Sequence, residues 1–301
     1  MVQAAIDFLL RVQNSDGGWG AGTERRSNTE ATSLALLGLY SVGAPSLAQS
    51  LDRGLKWLVE RQHPDGSWPL TAQLKEGSWA TALAVLSLTC FEMHSQIALR
   101  GVDWLLHQKG RKLGWMTSLR YRWAPHTLTT RLNPDLQGWP WTSHAFSWVE
   151  PTSYALIALK KLLPSLQGTQ AKERIREGEL LLYDRMCQEG GWNYGNSTVL
   201  GEDLPPYPDT TAVALIALQD YQTTEANQLS LQALRHLLAQ VESGLTLSWS
   251  ILCFVLYDQD VSEWQKLLAR NYEKTGFLGE TKSVALALLA SSEAGATIFR
   301  I

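Results

Sequence analysis

No apolar run in this sequence reaches the ~20 residues that a helix needs to cross a bilayer. The longest, Ala80 to Cys90 and Ser283 to Ala290, fit helices buried in a protein core. Cysteine is scarce. Cys90, Cys187 and Cys253 are widely spaced inside helical patterns, which fits buried, reduced thiols rather than a disulfide framework or a zinc site. Met1 to Arg11 is amphipathic and lacks the basic start and small-residue cleavage site of an export signal, so the setting implied is cytoplasmic. Charge of one sign is lacking too. A formal net charge of −3 gives no global attraction for nucleic acid, and any basic site must be local. The six histidines show no metal-ligand spacing, and the glycines mark helix turns rather than a phosphate-cradling loop.

Tryptophan, by contrast, is abundant. Thirteen occur, and an indole is costly to place unless its ring is packed and its N–H finds a partner. They expose an internal repeat. One copy runs Arg53-Gly54, Trp57-Leu58, Gln62, Gly66 and Trp68, and another Ala4, Phe8-Leu9, Gln13, Gly17 and Trp19. Counting back fifteen positions from Trp115 gives Arg100-Gly101 with Trp104-Leu105; from Trp192 it gives Glu177-Gly178 with Leu181-Leu182. Weaker copies fall at Ala233 to Leu247 and Glu263 to Phe277. Each copy predicts an amphipathic helix stopped by Asp-Gly or Gly-Gly, residues that accept the left-handed backbone of a helix end. The glutamine is expected to bond freed backbone groups while the indole covers its stem.

A second kind of helix follows each turn. Thr32 to Leu39, Thr81 to Leu88, Thr152 to Leu159 and Thr211 to Leu218 are apolar nearly all round, with weaker versions at Ser248 to Val255 and Lys282 to Leu289. Such helices must be surrounded on every side. Six alternating pairs therefore predict an all-α protein, an α/α toroid (α6-α6 barrel) of six helical hairpins with an inner and an outer ring. The repeat makes residues 1–301 one domain, with a long loop at 109–147.

The repeat, matched at every position by Arg53 to Trp68, resembles that of the terpenoid cyclase and protein prenyltransferase superfamily, the squalene-hopene and oxidosqualene cyclases in particular. A second resemblance concerns chemistry. Gly190-Gly191-Trp192 followed by Asp209-Thr210-Thr211-Ala212 is similar to the cyclase stretch that carries the catalytic acid. It implies Asp209 as general acid, one that must stay protonated in an apolar surround. Carbocations would need aromatic faces. Trp79, Trp139, Trp141, Phe146, Trp148, Tyr154, Tyr194 and Tyr207 cluster near inner-helix starts and are the candidate lining of a central cavity.

Acids recur at one register, two residues before the aligned threonine: Glu30, Glu150, Asp209 and, in the sixth copy, Glu280. They read equally as first-turn capping acids, since Ser147 to Glu150 and Ser27 to Glu30 have capping-box spacing. A toroid would gather them at one rim. There Asp209, Glu150 and Glu30 become catalytic candidates as well. The segment from Lys109 to Asn133 holds Arg120 and Arg122 among its bases and no acid, which suits either an anion site or a solvated loop. No Asp-Asp pair occurs, so the magnesium cluster of ionisation-type terpene synthases is missing, and no cofactor is implied.

The resemblance thus implies a cyclase-like protein that binds a polyprenyl or other apolar small molecule, with proton-initiated cyclisation as its reaction. A homodimer or a second toroid subunit would complete a two-toroid site, and peripheral membrane contact would suit the substrate. Two alternatives stand beside it: a non-catalytic lipid- or protein-binding scaffold, and an α/α-barrel glycan lyase or hydrolase with rim carboxylates.

Overall fold

A computed structural model describes residues 1–91, 95–114, 116, 119, 123, 132–166 and 169–301, with Gln240 by its backbone alone. Outer helices α1 (Val2–Arg11), α3 (Ala48–Arg61), α5 (Ser95–His107), α7 (Gln170–Asp184), α9 (Glu225–Leu237) and α11 (Ser262–Thr275) bury one face each. They alternate with α2 (Thr29–Val42), α4 (Ala80–Thr89), α6 (Val149–Leu162), α8 (Pro208–Ala217), α10 (Gly244–Leu256) and α12 (Thr281–Ser291), which are buried almost throughout. Each of these inner helices packs on the next, and α12 packs on α2, so the ring closes. Apolarity on all faces is the sequence cause of the inner ring, and a polar outer face that of the outer one.

The repeat works through hydrogen bonds. The indole N–H of Trp19 donates to the Leu9 carbonyl at 2.8 Å, that of Trp68 to Leu58 at 2.8 Å and that of Trp192 to Leu182 at 2.6 Å. Their backbone N–H groups donate to Thr32, Thr81 and Thr211 on the following inner helix. Gln13 Nε2 donates to Gly17 at 2.7 Å and to Ser50 of the next hairpin at 2.9 Å, and Gln62 bonds Gly66 and Ile97 likewise. One residue in each turn must have positive φ. Gly17 and Gly66 supply it, and a Cβ on Gly66 would come 2.3 Å from the Arg100 carbonyl oxygen.

The third copy departs from expectation. Trp115 lies outside the described residues, and Trp139 takes the repeat's place: it donates to the Leu105 carbonyl at 2.8 Å and its backbone N–H donates to Thr152. The long loop is an insertion between an outer helix and its own tryptophan. Arg174 replaces the missing glutamine, stacking 3.5 Å from the Trp139 ring and donating to Gln108, Gln137 and Gly138 carbonyls.

The two ends of the ring differ. At the carboxyl ends of the inner helices, a short helix α13 (Gly295–Phe299) seals the axis: Phe299 is fully buried against Trp249, 5.4 Å between centroids. Gln219 Nε2 donates to the carbonyl of Phe299 at 2.8 Å and fixes it there. At the amino ends lie the long connections, including a two-strand hairpin, β1 (Thr198–Val199) and β2 (Glu202–Asp203). Thr29, Val149 and Thr281 begin their helices by donating backbone N–H groups to loops of neighbouring hairpins, Leu70, Tyr194 and Ala21. Among the described residues no helix is long and apolar enough to cross a membrane.

Candidate functional site

The amino ends of α2, α6, α8 and α12 bring Glu30, Glu150, Asp209, Glu280 and Lys282 to the open mouth of the toroid. The capping-box expectation fails here for a local reason. Ser27 donates its hydroxyl to Asp16 and Asn28 caps α2 instead, while the Ser147 hydroxyl accepts the Gly138 N–H and Trp148 begins α6 without a side-chain cap. Glu30 and Glu150 are thus freed for other partners. Glu30 Oε1 lies 3.5 Å from Lys282 Nζ. Glu150 Oε1 accepts the Tyr154 hydroxyl proton at 3.0 Å.

Burial is the largest influence on both carboxyls. It raises Glu30 above the ordinary range against the pull of Lys282, and it lifts Glu150 to about 7, with Asp209 and Glu30 adding to the rise and Tyr154 and Lys282 opposing it. Burial works against the Lys282 ammonium, but Glu30, Glu280 and Glu150 outweigh it and raise that group. Three buried hydroxyls near the same helix starts, Ser33, Thr210 and Thr281, have no protein partner among the described residues. A polar ligand or solvent would satisfy them.

Beneath the carboxyls the axis is filled with rings. Trp141 meets Trp79 edge-on at 4.9 Å, Trp79 stacks on Tyr154 at 5.6 Å, Tyr154 lies 5.9 Å from Trp249, and Trp249 reaches Phe299. Trp79, Trp141 and Tyr154 therefore form a column and pack on one another. Trp139, expected in the lining, is the third copy's repeat tryptophan, 2% exposed. Tyr194 and Tyr207, 45% and 43% exposed, sit together at 5.0 Å over the mouth. Phe146 and Trp148 turn away to a neighbouring cleft. Arg120 and Arg122 lie outside the described residues. Sequence reasoning missed Lys282 and Trp249. Lys282 stood at the aligned threonine position of the sixth copy, and that break in the pattern was its signal.

A family model described as the squalene-hopene cyclase C-terminal domain matches residues 1–78. An uncharacterised protein, y4kT, of Sinorhizobium fredii (strain NBRC 101917 / NGR234) is 38% identical over 66 residues, 20% of this chain and 12% of that protein. Over the whole ring, a variant of type II terpene cyclase MstE from Scytonema, in complex with geranylgeranyl dihydroxybenzoate, superposes with a TM-score of 0.54 and 14% identity, covering 98% of this chain and 79% of that one. The chain is an α/α toroid whose ring is similar to that of a type II terpene cyclase. An inactive variant of the alpha-1,6-mannanase GH76A of Salegentibacter sp. HEL1_6, in complex with alpha-1,6-mannotriose, also superposes, with a TM-score of 0.62, 11% identity and coverage of 99% and 98%. The toroid thus shares its ring with a glycosidase as well, and at these identities the likeness concerns the fold.

Proposed function

We propose that the mouth is a proton-donating site for an isoprenoid or another apolar small molecule, and that Glu150 is its acid. The observation that carries this is the Glu150 carboxyl, which accepts the Tyr154 hydroxyl at 3.0 Å and which burial, with Asp209 and Glu30 nearby, lifts to about 7. Protonation of a substrate alkene by Glu150 would leave a tertiary cation that aromatic faces stabilise without attacking it. Loss of a proton from the cyclised cation to Asp209 or Glu30 would end the reaction as an isomerisation. Asp209, the acid expected from the sequence, acts in this reading as the neighbour that discourages ionisation of Glu150. Because rings fill the axis, the substrate lies across the mouth, against Tyr194 and Tyr207.

A specific feature favours a second reading. The open face presents exposed tyrosines beside several carboxyls, the equipment of a glycan hydrolase. One experiment separates the two. The pure protein is incubated with squalene, oxidosqualene, C15 to C20 prenyl diphosphates and alpha-1,6-linked mannooligosaccharides, and products are analysed by mass spectrometry. Cyclised isoprenoid formed by the native chain and lost in Glu150→Gln supports the first reading, and shortened oligosaccharide the second. If neither product forms, or if Glu150→Gln turns over isoprenoid as the native chain does, the proposal fails.

A further inference from the structure

We propose that the cleft walled by residues 111–113, 132–136 and 146–148 on one side and by the turn after α7 on the other binds an apolar molecule through an anionic head group. The inference rests on the mouth being an isoprenoid site and names the part of the ligand that the mouth does not hold. The cleft has a volume of about 300 Å³, at the lower end of ligand-sized cavities. Leu132, Leu136, Phe146 and Trp148 make its walls apolar, and Arg111 and Arg185 stand at its edge.

Exposure sets these rings apart. Trp19, Trp68 and Trp192 are fully buried, whereas Phe146 and Trp148 remain 47% and 37% exposed. Large rings left open in a concave, cationic setting suit a ligand that is apolar along its body and charged at one end. The charge has a sign. The Arg111 guanidinium lies 5.8 Å from the Phe146 centroid, and Arg185 is ion-paired with Asp184, which also accepts the Asn133 N–H and so ties the loop to the end of α7. Among the described residues 109–114, Lys109, Arg111 and Lys112 are basic and none is acidic. A guanidinium fork matches a carboxylate or a phosphate group, whereas a neutral ligand would desolvate Arg111 without replacing its hydrogen bonds with water. The cleft also adjoins the mouth. Trp148 stands two residues before Glu150, and Gly195, which lies against the Trp148 ring, follows Tyr194.

The test is calorimetric titration of the whole chain with farnesyl diphosphate, palmitate, farnesol and inorganic diphosphate. Farnesyl diphosphate or palmitate should bind at least about tenfold more tightly than farnesol, and the tighter of the two identifies the head group as diphosphate or carboxylate. Arg111→Gln, at an exposed position, should remove that preference, and Phe146→Ala should weaken binding of the headed chains without unfolding the protein. Farnesol binding as tightly as the headed chains, inorganic diphosphate binding as tightly as farnesyl diphosphate, an indifferent Arg111→Gln or no binding at all would each overturn the inference. Calorimetry reads the cleft and product formation reads the acid at the mouth, so their failures are distinguished.

Discussion

Tyr154 donates its hydroxyl to Glu150 Oε1 at 3.0 Å, one helical turn along α6, while its ring stacks on Trp79 and leans on Trp249. The phenol therefore ties the carboxyl at the mouth to the aromatic column below it. Its hydrogen bond favours the ionised form of Glu150, in opposition to burial.

Tyr154→Phe should accordingly move the Glu150 titration upward from about 7. Carboxyl-carbon NMR of the two proteins measures this directly. A midpoint that falls or stays fixed would show that the phenol does not hold the carboxylate.

Stability should depend on pH through the same group. The folded value near 7 lies above the ordinary 4.5, so Glu150 contributes stability that is fully present below pH 4.5 and lost as pH rises through 7. Glu150→Gln removes that dependence. Urea unfolding at pH 5 and pH 8 should show the variant gaining roughly 1–2 kcal/mol on the native chain at the higher pH, a figure discounted for partial solvation. Parallel losses in both proteins would contradict a neutral buried carboxyl.

Trp139→Phe should destabilise the fold by about 1–3 kcal/mol, because it orphans the Leu105 carbonyl and weakens the stack under Arg174. Trp148→Phe, at a partly open ring, should cost under about 0.5 kcal/mol. Thermal unfolding of both variants gives the comparison. Equal shifts would mean that Trp139 does not close the third hairpin.

Lys160, 5% exposed, joins Glu179 at 2.6 Å and Asp220 at 2.7 Å and donates to the Ala217 carbonyl at the end of α8. Lys160→Met leaves the Glu179 carboxylate buried without its cation and should cost about 3–5 kcal/mol. Adding Glu179→Gln should recover a large part of the loss. A double variant no more stable than the single one would locate the damage in packing rather than charge.

Much of the ring is legible in the sequence alone. The spacing of Gln13, Gly17 and Trp19, repeated at Gln62, Gly66 and Trp68, reports bonds between neighbours in sequence, and the all-apolar pattern of Thr211 to Leu218 reports burial on every side. The third copy was legible only in part. Its indole-to-carbonyl bond spans 34 positions where the others span 10, and no fixed period detects an insertion of that length.

The sequence by itself determined the alternation of helix types, the toroid class and the register that collects Glu30, Glu150 and Asp209 at one rim, because these follow from local periodicity. Tertiary structure decided that burial lifts Glu150 to about 7, that Lys282 faces Glu30 and that rings fill the axis from Trp141 to Phe299. Those outcomes depend on burial and on contacts between helices far apart in the chain. One turn of α6 decides the Glu150–Tyr154 bond, but only the closed ring removes enough water to make that bond matter.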